Sequence, residues 1–117
     1  MSLSLSIVTF DQVSHEIIAD ELLNEVAGLE SWRNEVYASK EVVLYGAKYL
    51  PRLKNEDLLV YGDELENFRE EVVILISKVK ELAEDLSMHA DSLTCRLENI
   101  QNAIIKAKQS NKGVFIS

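Results

Sequence analysis

Cysteine occurs once in this chain, as Cys95, so no intrachain disulfide forms and no metal knuckle can be built from cysteine alone. Proline also occurs once and glycine four times. So few breakers favour long uninterrupted helices over a meander of strands and turns. Basic charge is scarce as well, with 12 Lys and Arg against 20 Asp and Glu and a formal net charge of −8. Nucleic acid and anionic membrane surfaces both call for a basic footprint, so neither is expected as a main partner. A basic protein partner remains compatible with that charge. The first residues lack the basic region of a signal peptide. The apolar run Val72 to Ile76 falls far short of a bilayer span. An acidic, soluble, cytoplasmic protein is the expectation.

What is present is apolar periodicity. Hydrophobic residues make up 47% of the 117 positions, enough for one packed domain. Thr9 and Gln12 have the spacing of a capping box, with Val8 and Val13 as its hydrophobic staple and Asp11 in the first turn. Beyond them Leu22, Leu29, Val36, Val43 and Leu50 recur every seven residues, with Val26, Trp32 and Ala47 between. That period predicts a long helix over about residues 9–49, interrupted at Gly28 by a kink or a close helix contact and ended by Pro51. Residues 51–62 form the corner, with room for a short helix capped by Asn55.

The strongest pattern lies in the second half. Asp63 and Glu66 repeat the capping-box spacing, and Leu65, Phe68, Val72, Leu75, Val79, Leu82 and Leu86 follow in alternating steps of three and four. The step then misses His89 and resumes at Ala90, Leu93, Leu97, Ile100, Ile104 and Ala107, which reads as a stutter in one helix over about residues 63–110. Gly113 follows as a natural residue after a helix end. The apolar tails, 1–8 and 113–117, alternate like strands. Frayed termini are the simplest reading of them; pairing as a ribbon, or docking a partner by strand addition, is the other.

The fold class expected is all-α: a long antiparallel helical hairpin forming a single domain. The acids of residues 11–35 would lie beside the lysine-rich end of the last helix. The first helix is too broadly apolar for a two-helix seam. A homodimer closing into a four-helix bundle of coiled-coil type is therefore expected, with Leu22, Leu29, Val36, Val43, Val72, Val79, Leu86, Leu93 and Ile100 in the dimer core.

The known catalytic signatures of helical proteins are incomplete in this chain. Neither His15 nor His89 sits in a Glu-x-x-His or a His-x-x-Lys-Gly pattern, and Cys95 has no histidine that the sequence places nearby. Glu81 and Glu84 have the Glu-x-x-Glu spacing with which helical nucleotide pyrophosphohydrolases hold Mg²⁺, but the second half of that motif is missing. A solvated helix face is the simpler reading of the pair. No phosphate loop or zinc spacing occurs, and no cofactor is expected. Tyr45, Tyr49 and Tyr61 gather near the expected corner and form the candidate binding surface. The function expected is a non-enzymatic protein–protein interaction or scaffold module. The alternative is an Mg²⁺-dependent pyrophosphohydrolase-like enzyme with a carboxylate site shared between subunits.

Overall fold

The computed structural model describes residues 2–117. Two long strands come first, β1 (Ser2–Phe10) and β2 (Ile17–Leu29). A π turn at Arg33–Tyr37, a short helix α1 (Lys40–Leu44) and a 3-10 turn at Leu50–Lys54 lead to β3 (Leu58–Val60). Three helices follow, α2 (Glu64–Ser77), α3 (Val79–Asp85) and α4 (Ala90–Ser110), and β4 (Gly113–Ile116) closes the chain. The strands form one sheet in the order β2-β1-β4-β3, with every neighbouring pair antiparallel.

The fold is therefore mixed α and β. The expected all-α hairpin, with the four-helix bundle and coiled coil built on it, is overturned by this sheet. The expected first helix is instead the β1–β2 hairpin followed by irregular turns. Its apparent capping box is a strand end and a turn. The Asp11 carboxylate accepts the backbone N–H groups of Val13 and Ser14, both at 2.8 Å, and His15 takes a positive φ of 61°. Those bonds from Ser14 and Val13 hold the Asp11 carboxyl below its usual pKa. Ala, Glu and Leu make residues 17–29 a good intrinsic helix former, but pairing with β1, in which Ser alternates with Leu, decides the outcome.

The tails do pair. Leu5, Ser6, Ile7 and Val8 face Ile116, Phe115, Val114 and Gly113, and Ser4 and Ser117 exchange backbone hydrogen bonds at 2.7 and 3.1 Å. Gly113 starts β4 rather than ending a helix. A Cβ there would meet the Phe10 ring at 3.0 Å and the Tyr61 Cβ at 3.1 Å, so a larger residue would have to push these side chains aside by a few tenths of an ångström. Asn111, at φ 54°, is the left-handed residue that ends α4.

The expected last helix is three helices. The chain leaves helical geometry at Lys78, and again at Ser87, which has φ 55°. The stutter at His89 is thus a helix break: His89 is extended and precedes the first turn of α4. Asp63 makes no side-chain cap bond; Glu66 pairs instead with Arg69 and with Lys108 of α4.

The core lies between the sheet and the helices. Leu3, Leu5 and Ile7 of β1, Leu58 and Val60 of β3 and Val114 and Ile116 of β4 are buried. They join Leu65, Phe68, Val72 and Leu75 of α2 and Leu93, Leu97, Ile100 and Ile104 of α4 in one cluster. α4 packs on α2 and α3 as well as on β1, β2 and β4. Of the acids expected beside the lysine-rich end of the last helix, Glu21 of β2 forms an ion pair there, with Lys106 of α4 at 3.1 Å.

Candidate functional site

Strand β2 stands at one edge of the sheet, with β1 as its one strand neighbour. An edge strand turns the N–H and C=O of alternate residues away from the sheet, where another strand can pair with them. β2 is 13 residues long, against three for β3 at the opposite edge. It also keeps large apolar side chains in solvent: Ile18 is 62% and Leu22 68% exposed, and Ile17 is also exposed.

The register assigns these side chains to faces. Glu21 lies opposite Ile7, and its bond to Lys106 places it on the face that α4 covers. Asp20 and Leu22, one residue either side of it, lie opposite Val8 and Ser6 and point to the other face. Ser6 and Val8 are nevertheless buried. Each is flanked by β2 on one side and β4 on the other, Ser6 by Leu22 and Phe115, Val8 by Asp20 and Gly113.

One end of β2 is closed. Tyr37 is fully buried and donates its hydroxyl to the carbonyl of Ala27, and burial pushes its phenol well above the usual pKa. Asn99 of α4 donates to the carbonyl of Val26 at 3.0 Å. The Trp32 ring lies against Gly28, where an added Cβ would sit 2.5 Å from Cε3, at a φ of 140°. Gly28 therefore marks a close contact, though not the helix contact expected: Gly28 lies on a strand and meets the tryptophan four residues on, just before the π turn. The remaining stretch, Ile17–Glu25, is exposed apart from half-buried Leu23. Register shifts at both its ends show extra residues in β2, which bulge and twist the edge.

The edge is acidic. Residues 11–30 contain Asp11, Glu16, Asp20, Glu21, Glu25 and Glu30 and no lysine or arginine. Glu21 and Glu30 have partners in Lys106 and Arg33. Among the described residues no basic side chain lies within ion-pair distance of Asp20 or Glu25.

The other sequence candidates are dispersed. Glu81 and Glu84 are exposed on α3. No group of three or more His, Cys, Asp or Glu side chains able to hold a metal ion occurs among the described residues. The three tyrosines do not form one cluster. Tyr49 is buried against Phe68, with ring centroids 5.4 Å apart and the Arg52 guanidinium over its ring. Tyr61 packs on Phe10 at 4.7 Å and lines a shallow hollow with His15 and Lys112, while Tyr45 is half-buried. Of the residues assigned to a dimer core, Val36, Val72, Leu93 and Ile100 are buried within the single chain, and Val79 and Leu86 pack partly against that core. Leu22, Leu29 and Val43 are exposed. His89 and Cys95 are exposed on the helical side.

Sequence reasoning missed Glu71. Its buried carboxylate accepts the consecutive backbone N–H groups of Lys48, Tyr49 and Leu50 at 2.5, 2.9 and 3.0 Å. It thereby caps the 3-10 turn from a distant helix and fixes the loop before it. The available signal was its place on the apolar stripe of α2, three residues after Phe68 and four before Leu75. It also missed Ile18 and Asp20, because helical periodicity hid the strand that carries them.

No described helix is long and apolar enough to cross a membrane. Comparison with family models, with curated proteins and with solved structures finds no match to this chain.

Proposed function

We propose that this protein is a non-enzymatic protein-interaction module and that the open stretch of β2, Ile17–Glu25, is where its partner docks. The observation that carries the reading is the exposure of Ile18 and Leu22 on a long edge strand whose far end is anchored. Covering what remains exposed of each side chain would contribute on the order of 1–2 kcal/mol, so a partner that covers both gains enough to select this edge. Much of the apolar excess that argued for a second chain is absorbed by the core of one chain, and β2 holds a large part of the remainder. The exposed free thiol of Cys95 suits a reducing compartment, and we place the module in the cytoplasm.

The test is photo-crosslinking in cells from a probe placed at position 18 or 22, with Glu84 of α3 as the control position. The reading expects the same predominant protein adduct from both strand positions and its absence from position 84. No adduct from the strand, or one common set of products from all three positions, would refute it.

A further inference from the structure

Resting on that reading, we infer that the occupant of the β2 edge is an extended segment of another protein, carrying a lysine or arginine two residues from an apolar side chain, which adds to the sheet as a fifth strand. Three features of the edge specify this chemistry.

The first is the backbone. Ile17–Glu25 has β1 as its one strand neighbour, while the carbonyls of Val26 and Ala27 already accept from Asn99 and Tyr37. Strand addition is therefore confined to the Ile17–Glu25 end, with room for a short segment. Main-chain hydrogen bonds would supply affinity and the side chains opposite would supply selectivity.

The second is the order of side chains on the face away from α4. Asp20 and Leu22 are neighbours on that face, two residues apart. A strand laid beside them in either direction places one side chain opposite Asp20 and the next on the same face opposite Leu22. Opposite charges and matched apolar groups stabilise directly facing pairs, so the complement is basic at one position and apolar two residues away.

The third is charge, which separates this occupant from a second copy. Asp20 and Glu25 have no basic partner within the described residues, and residues 11–30 hold six acids and no lysine or arginine. Two β2 edges brought together would bring twelve acids, six from each copy, into one neighbourhood with no lysine or arginine from either segment between them, which disfavours the association. The acids and the bulges thus guard the edge against its own kind. The same acids draw a basic strand toward it.

The experiment uses the full chain and synthetic peptides. The probe peptide alternates lysine and valine on one face with threonine between them; a second replaces lysine by glutamate; a third keeps lysine but is N-methylated at alternate backbone nitrogens. Amide NMR shifts map the site, and titration gives the affinity. The expected result is that the lysine peptide shifts the amides of residues 17–25, and that N-methylation weakens binding by about tenfold or more, since a few strand hydrogen bonds are lost. The glutamate peptide is expected not to bind. The double variant Asp20→Lys, Glu25→Lys is expected to reverse the preference between the lysine and glutamate peptides while keeping the wild-type spectrum elsewhere. Equal binding of the N-methylated peptide, or shifts centred elsewhere, would overturn strand addition. Concentration-dependent dimerisation through β2 would replace the basic partner with a second copy. A crosslinked partner whose contact segment is acidic or helical would overturn this inference and leave the interaction module standing, whereas absence of crosslinking from positions 18 and 22 removes the module itself.

Discussion

β1 and β2 are the two strands of one hairpin, yet they live in different solvents. β1 lies between two strands and buries Leu3, Leu5, Ser6, Ile7 and Val8. β2 has a strand on one side only, and Ile17, Ile18 and Leu22 stay in water. Both strands carry leucine and isoleucine, and position in the sheet decides which of these are buried, while β2 alone also carries acids. The difference teaches that an apolar residue reports its role only once its neighbours are known. In β1 such residues hold the fold; in β2 they are free to hold something else.

The largest effect expected from this contrast is on stability. Leu5→Ala empties a fully buried site and is expected to cost about 2–5 kcal/mol. Leu22→Ala, with the same chemistry on the neighbouring strand, is expected to stay within about 0.5 kcal/mol of wild type. Urea denaturation of the pair measures the contrast, and equal costs would break it.

The boundary within β2 can be sharpened next. Gly28→Ala forces a Cβ against the Trp32 ring at a backbone angle that disfavours it, and a cost of about 2–3 kcal/mol is expected by the same assay. Tyr37→Phe leaves the buried Ala27 carbonyl without its hydroxyl partner, at an expected cost of about 1–2 kcal/mol. If either variant were silent, the closed end of β2 would be no better anchored than the open one.

The smallest effect concerns an exposed pair well away from the edge. Hydrogen bonds from Arg69 and then Lys108 hold the Glu66 carboxyl down to about 2 from an ordinary value of 4.5. A depressed folded-state pKa means that its contribution is present above 4.5 and is lost as pH falls toward 2. Solvent screening keeps that contribution small. Glu66→Gln is expected to flatten the acid limb of the stability profile slightly in that window while leaving partner binding at β2 unchanged, as thermal melts across acid pH would show.

Part of this architecture is legible in the residues. The seam of Leu65 to Ile104 identifies the helical face of the core, and its missed step at His89 marks a true helix break, although it reads as a stutter when one continuous helix is assumed. The alternating tails show their strand character, but their pairing depends on a contact between opposite ends of the chain. The hairpin is illegible for a physical reason. Residues 17–29 carry helix-forming Ala, Glu and Leu at spacings that also fit a helix, and only the ladder with β1 makes them a strand. Once the helix is assumed, Leu22 and Val36 fall on one stripe. In the structure Leu22 is exposed and Val36 is buried, and the candidate site stays hidden with the strand.

Native-state amide hydrogen exchange tests the central claim, an open edge beside a locked strand, most directly. Protection should run near the global unfolding free energy along Leu3–Val8, while alternate amides of Ile17–Glu25, which point away from β1, should exchange much faster and independently of protein concentration. Uniform protection of both strands, or protection of β2 that grows with concentration, would show the edge already covered and contradict the account.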